Sequence, residues 1–113
     1  MNGAAEAKRW YWQRISAMVL ALCVLVHLAT ILYAMRGGLS AAEILARTRG
    51  NVPFALFYLV FVLSVVVHAP IGLGNIAQEW LSWRGRWLYV VLVLIAVLLA
   101  TTGLRAVWGV YAG

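Results

Sequence analysis

Three long apolar runs, separated by short polar segments, dominate the hydrophobic pattern of this chain. The runs cover residues 15–35, 52–77 and 87–104, and none of them contains a charged residue. At about 1.5 Å per helical residue, each run is long enough to cross a hydrocarbon layer of about 30 Å. Three strands could not close a barrel, so the pattern predicts transmembrane helices. Their expected ranges are about 13–36, 52–80 and 87–111.

The polar segments carry signals for the ends of these helices. Ser40 and Glu43 have the spacing of a capping box, which predicts a short interfacial helix at about 40–48. Asn51 is placed to cap the second long helix. Pro70 lies inside that helix, removes one backbone hydrogen bond and is expected to kink it.

Composition supports the membrane class. Hydrophobic residues make up 65% of the 113 residues and charged residues only 11%, outside the range of ordinary soluble domains. We therefore predict a single all-α domain over residues 1–113, an integral membrane bundle of three transmembrane helices that partner helices complete. The first run is longer than a signal-peptide core and no small-residue cleavage site follows it, so we expect it to remain. Residues 1–9 are small and polar and are expected to be loose.

The formal net charge of +6 arises from nine basic and three acidic residues. The basic residues are scattered at the predicted helix ends rather than clustered on one solvated face, which argues against nucleic acid as a partner. They are placed to anchor the helices among the headgroups of membrane lipids. Five of the nine fall on the side of the N-terminus, a small excess that favours a cytoplasmic N-terminus.

Two histidines, His27 and His68, lie within the apolar runs. Each belongs to a stripe of small and polar residues on one helix face, the kind of face that usually contacts other helices. A histidine in hydrocarbon is costly without a partner, so each is a candidate for a functional site. We interpret both as candidate haem ligands, because two axial histidines suit electron transfer. The alternative, that each only hydrogen-bonds a neighbouring helix, stays open.

The spacing of the two histidines permits but does not favour a haem held within one chain. If Arg14 and Trp80 mark the same membrane surface, His27 and His68 lie about 20 Å and about 18 Å from it. Adjacent helices are only about 8–10 Å apart, too close to hold a porphyrin between them. We therefore expect a second subunit, or a second copy, to supply the opposite ligand. Gly72, one turn beyond His68, would let a porphyrin edge approach the backbone.

Polar side chains near the N-terminal membrane surface form a second candidate site. Arg14, Ser16 and the indole of Trp80 can donate hydrogen bonds, and Glu79 can take up a proton. Such groups could hold a quinone carbonyl. It stays equally open that Trp80 is only an interfacial aromatic residue and that Glu79 only pairs with a nearby arginine. Because Cys23 is the single cysteine, any haem would be bound without a covalent link.

Several of these segments resemble the small cytochrome b membrane-anchor subunits of succinate dehydrogenase and fumarate reductase. The matching segments are Gln13-Arg14-Ile15-Ser16-Ala17, His68-Ala69-Pro70-Ile71-Gly72, Glu79-Trp80 and the closing Val107-Trp108-Gly109-Val110. The three-helix layout also looks like the smaller anchor subunit. The resemblance therefore spans most of the chain.

The resemblance implies that His68 is an axial ligand of haem b. It also implies that Arg14, Ser16 and Trp80 line a quinone site, although a tyrosine is usual where this chain has Trp80. His27 resembles the first-helix histidine of two-haem members, which implies one haem or two. The Arg-His pair of the larger anchor subunit is absent here, so haem propionates would need other partners.

The resemblance also implies the partners of the chain. They are a flavoprotein subunit, an iron-sulfur subunit and a second membrane anchor or another copy of this chain, in a bacterial-type inner (plasma) membrane. Electrons would pass to a quinone at the cytoplasmic edge, and the dicarboxylate chemistry would take place in the soluble subunits. The chain alone is not expected to be catalytic. The sequence leaves open whether the complex oxidises succinate or reduces fumarate.

Two other functions remain as alternatives. A haem-free anchor or assembly subunit would have the same helices with no redox role. A small proton-coupled transporter would need a carboxylate near the middle of the membrane, whereas Glu79 lies at the edge.

Overall fold

The computed structural model describes residues 3–113. Its four helices are α1 (Gly3–Gly37), α2 (Ala41–Thr48), α3 (Val52–Trp80) and α4 (Arg86–Ala112). The helices α1, α3 and α4 are long and apolar enough to cross a membrane. No strand occurs in the range that the structure describes. The predicted all-α class with three membrane-spanning helices is thus confirmed.

The helix α1 begins earlier than the sequence pattern predicts. It starts at Gly3 rather than near residue 13, so the expectation of a loose segment is wrong for residues 3–9. This segment is rich in alanine, lysine and arginine, which favour helix, and Glu6 lies in the first turn, where the helix dipole favours an acidic residue. Residues 1 and 2 lie outside the described residues.

The central helix of the bundle is α3, which contacts α1 on one side and α4 on the other. Two contacts define how α1 and α3 align. The Gln13 side chain lies against Gly72, with Nε2 at 3.3 Å from the position of an added Cβ. Nδ1 of His27 lies 3.3 Å from the hydroxyl of Tyr58. The contacts are fourteen residues apart on α1 (13 to 27) and on α3 (58 to 72), so the two helices run antiparallel in a constant register.

Glycines bring α3 and α4 close together at two levels. An added Cβ at Gly103 would lie 2.6 Å from Cγ1 of Val62, and one at Gly74 would lie 2.9 Å from Cδ1 of Leu92. Small residues at such crossings let membrane helices approach until their backbones nearly touch. The two glycines therefore fix the spacing of this helix pair.

The short helix α2 closes one end of the bundle. The hydroxyl of Ser40 accepts from the backbone N–H of Glu43 at 3.2 Å, and the Glu43 carboxylate accepts from the N–H of Ser40 at 3.0 Å. The predicted capping box is thus confirmed, as is the cap of α3 by the side chain of Asn51. The N–H of Gly50 donates to the carbonyl of Tyr111 at 2.9 Å. This bond ties the turn after α2 to the end of α4.

Very little of the chain is buried. From Gly3 onward no side chain is fully buried, and the apolar residues classed as buried are Cys23, Ala77 and Leu88. In the most apolar 18-residue stretch of each spanning helix, only 11% of α1 and 6% of each of α3 and α4 is buried inside the bundle. The outer faces therefore contact lipid or the helices of other subunits.

Candidate functional site

The side chain of His68 lies in an open cavity of about 460 Å³ on the seam between α1 and α3. The other lining residues all belong to α1 and are apolar: Ala17, Leu20, Ala21, Val24 and Leu25. Nδ1 of His68 is buried, and residues 3–113 provide no hydrogen-bond partner for it. Leaving a buried polar atom unpaired costs about 1–3 kcal/mol. A group from outside this chain is therefore needed to satisfy the imidazole.

A second unpaired polar atom lies one turn away from His68 on the same seam. The amide of Gln13 lies against Gly72, and its Oε1 is buried without a partner within the described range. Gly72 was predicted to let a porphyrin edge approach the backbone. In this structure the flexible side chain of Gln13 occupies the space over Gly72. The sequence did not predict Gln13 as a site residue. It is, however, the first residue of the segment Gln13–Ala17, which resembles the anchor-subunit family, and this resemblance could have indicated it.

The surroundings of His27 are different. Its Nδ1 shares a hydrogen bond with the hydroxyl of Tyr58, and the His27 ring meets the rings of Tyr58 and Phe61 edge-on, each at 5.6 Å between centroids. His27 also lines two cavities of about 480 and 340 Å³ that Ile44 and Thr48 of α2 border. One ring nitrogen of His27 is thus satisfied within the chain, which is the hydrogen-bonding alternative that the sequence left open.

The structure does not bring the two histidines together. His27 lies opposite Tyr58, and His68 is ten residues further along α3, about 15 Å along the helix axis. The estimate of nearly equal depths was wrong because Arg14 and Trp80 do not mark one surface. Gln13 lies opposite Gly72, so Trp80 is about 12 Å further toward the N-terminal end of the bundle. In residues 3–113 no three side chains of metal-binding type cluster.

The four residues proposed to hold a quinone are spread over the same end of the bundle. Ser16 is buried, and its hydroxyl donates to the carbonyl of Gln13 at 3.1 Å. The guanidinium of Arg14 lies 5.3 Å from the ring centre of Trp10, an arrangement typical of cation–π contacts. Glu79 is exposed.

Trp80 is 82% exposed. This chain therefore does not assemble a closed pocket from the four residues, and any pocket that includes them needs walls from another subunit. Their role at a quinone site stays a prediction.

Tyr58 is a site residue that the sequence analysis missed. The stripe of small and polar residues that contains His68 begins at Ser64 and continues through Gly72. Steps of three backward from Ser64 reach Phe61 and Tyr58, so the pattern places Tyr58 on the same face of α3 but does not show which residue of α1 it contacts.

The fold and the site define the class of this protein. Three spanning helices with unburied outer faces, and a half-buried histidine whose buried Nδ1 has no partner within residues 3–113, are the features of a membrane subunit that works in a larger assembly.

A comparison with protein families matches residues 2–102 to the family described as succinate dehydrogenase/fumarate reductase transmembrane subunit. The chain belongs to this family, which confirms the resemblance seen in the sequence. It is a multi-pass membrane subunit of such a complex and has partner subunits. No curated protein and no solved structure matched the chain.

Proposed function

We propose that this chain is the haem b-binding membrane anchor of a succinate dehydrogenase or fumarate reductase complex, with His68 as one axial ligand. The observation that carries the proposal is the unpaired, buried Nδ1 of His68 in a cavity with an otherwise apolar lining. A neutral imidazole with no protein partner has a lone pair to offer to iron. Bound without a covalent link, haem b would supply a one-electron carrier.

The residues around His68 fit a flat apolar group. The small side chains of Ala17 and Ala21 leave space on the face of α1 that lines the cavity, and the cavity is open to the outside of the bundle. His68 is the single ligand that this cavity offers, so the opposite ligand comes from a second anchor subunit or another copy of this chain. The Gln13 amide adds a polar group one turn from His68.

We further propose that the exposed end of α3 forms one wall of a quinone site. At that end Trp80 can donate a hydrogen bond and Glu79 can accept a proton, whereas Arg14 and Ser16 lie near the level of Gly72, about 12 Å deeper. Partner subunits provide the other walls, and the flavoprotein and iron-sulfur subunits dock at this end. The proposal places the chain in a bacterial-type inner membrane with a cytoplasmic N-terminus. The dicarboxylate chemistry belongs to the soluble subunits.

A second haem at His27 stays a prediction. The hydroxyl of Tyr58 holds Nδ1 of His27, which leaves Nε2 as the nitrogen that could ligate iron. The transporter alternative finds no support in the described range, because Glu79, the acidic residue of α3, lies at the exposed end of that helix.

The test is a pyridine haemochrome assay with subunit stoichiometry on the purified, assembled complex. We expect at least one haem b per copy of this chain if a second anchor supplies the opposite ligand, and at least one per two copies if another copy of this chain supplies it. The haem at His68 is expected to be lost in the His68→Ala variant. The matched His27→Ala variant is expected to retain that haem. A fully assembled wild-type complex without a b-type Soret band would overturn the proposal and leave a haem-free anchor.

A further inference from the structure

A cavity of about 680 Å³ lies between α1, α3 and α4, near the end of the bundle that holds the N-terminus. Its volume is in the range of ligand sites in proteins. Lys8, Arg9 and Trp12 of α1 line its mouth, while its deeper wall consists of apolar residues of α3 and α4 such as Val67 and Ala96. The cavity is distinct from the one that contains His68.

The mouth of this cavity carries positive charge that has no ion-pair partner among residues 3–113. Lys8 is exposed, and Nε of Arg9 is buried with no hydrogen-bond partner in the described part of the chain. The three acidic residues of the sequence are Glu6, Glu43 and Glu79, and none of them lines the cavity. An anionic group is therefore the natural partner of this mouth.

The position of the cavity along the membrane normal indicates what kind of anion fits. Lys8 and Arg9 precede the apolar run of α1, which begins at residue 15, so they lie at headgroup depth, with Trp12 in the interfacial belt. Val67 and Ala96 lie within the apolar runs of α3 and α4. A ligand that fills the cavity thus has an anionic head at the interface and an apolar tail along the helices.

We propose that this cavity binds one anionic phospholipid of the bilayer, with its phosphate against Lys8 and Arg9 and an acyl chain along α3 and α4. A small soluble anion would make no contact with the apolar wall. A neutral amphiphile would leave the two cationic side chains without an anionic partner. The proposal depends on neither haem nor quinone binding.

The test counts bound lipid by native mass spectrometry on the intact complex, purified in detergent and depleted of lipid. The complex is titrated with phosphatidylglycerol and with phosphatidylcholine that has the same acyl chains. Each basic residue near an anionic headgroup favours binding roughly fivefold, so we expect the two together to give a preference for phosphatidylglycerol of roughly 25-fold at this site. The Lys8→Gln/Arg9→Gln double variant is expected to lose it and to retain one fewer anionic lipid per copy.

The Arg84→Gln/Arg86→Gln double variant is the matched control. It removes two charges at the same end of the bundle from residues that do not line the cavity, so it is expected to keep the preference. Equal losses in the two double variants would point to diffuse surface charge and would overturn the proposal. So would equal binding of the two lipids by the wild-type complex.

A second pair of variants tests the apolar part of the site. Ala96→Phe fills the deeper wall and leaves both charges in place, so it is expected to prevent retention of the lipid. Leu98→Phe, at a 61% exposed position of α4 outside the cavity, is expected to have no effect. Retention by Ala96→Phe would overturn the proposal. Binding of an added ubiquinone that Ala96→Phe prevents, with no binding of phosphatidylglycerol that Ala96→Phe prevents, would also overturn it and make the cavity a quinone site.

Discussion

His27 and His68 lie on the same seam between α1 and α3, about 15 Å apart, in surroundings that differ in one respect that matters. Around His27, Tyr58 provides a hydrogen bond and two aromatic rings pack against the imidazole. Around His68, small and aliphatic side chains of α1 provide nothing polar. The chain thus provides a hydrogen-bond partner for His27, whereas a partner for His68 has to come from outside residues 3–113.

This difference supports, without reference to the family, the proposal that His68 rather than His27 is the first position to bind an external group. A histidine with a partner stabilises the fold that contains it, whereas an unpaired buried histidine destabilises the fold until something binds. Each of the following variants changes the surroundings of one histidine and uses the surroundings of the other as its control.

The largest effect is expected for His68→Leu. The variant removes the proposed axial ligand, so the haem proposed to bind there is expected to be lost, and it also removes an unpaired nitrogen from an apolar cavity. The haem-free chain is therefore expected to become more stable by about 1–3 kcal/mol. Haem content and detergent-driven unfolding in mixed micelles measure the two effects. Destabilisation of the haem-free chain would mean that the ring has a partner within the fold.

A matched pair of glycine variants tests whether α3 and α4 pack equally tightly at the two ends of their interface, one near His27 and the other beyond His68. At Gly103, near His27, an added Cβ would lie 2.6 Å from Cγ1 of the stiff, branched Val62. We expect Gly103→Ala to cost about 1–2 kcal/mol net. At Gly74 the neighbour is the flexible end of Leu92, so Gly74→Ala is expected to be neutral or slightly stabilising. Equal costs in the unfolding assay would contradict this contrast.

A double-mutant cycle measures the bond between His27 and Tyr58. We expect His27→Leu and Tyr58→Phe to couple by about 1 kcal/mol, because each single variant strands the polar group of the other residue. His68→Leu combined with Tyr58→Phe is expected to be additive within about 0.5 kcal/mol, since about 15 Å separates those sites. Strong coupling in the second pair would show that the surroundings of the two histidines are not independent.

The smallest effect concerns α2, which borders the cavities of His27 and not that of His68. The N–H of Ser40, and then the Ser40 hydroxyl, lower the pKa of the Glu43 carboxyl from its ordinary value of 4.5, with a smaller contribution from Arg47. Because the pKa is lower in the folded state, the stabilisation of α2 is present above the ordinary pKa and is lost as pH falls through the lowered one.

Hydrogen exchange of the α2 amides, corrected for intrinsic rates, is therefore expected to speed up as pH falls from about 6 to about 3. The Glu43→Gln variant is expected to lose this dependence. Amides around His68 serve as the internal control, and a matching acceleration there would contradict a local effect.

The sequence predicted what depends on one helix at a time. The spanning helices follow from runs without charge, and the cap of α2 follows from two residues three apart, Ser40 and Glu43. What depends on how helices align could not be predicted. Apolar faces slide past one another with little change in burial, so nothing in the pattern placed Gln13 opposite Gly72 or Tyr58 beside His27.

The cavity at Lys8 and Arg9 was missed for a related reason. Those residues belong to a segment predicted to be loose, and its continuation as helix α1 is what carries them over α3 and α4. Alanine and charged residues favour a helix without revealing what it will lie against. The depth comparison of Arg14 with Trp80 failed for the same lack of register.

The near absence of fully enclosed side chains has a consequence for the life of this protein in the cell. Because residues 3–113 form almost no buried core, the fold depends on the bilayer and on the subunits around the chain for its stability. A copy synthesised in excess of those subunits would expose its apolar helix faces and the unpaired imidazole of His68 to membrane proteases. Its abundance is therefore expected to follow the supply of its partners rather than the rate of its own translation.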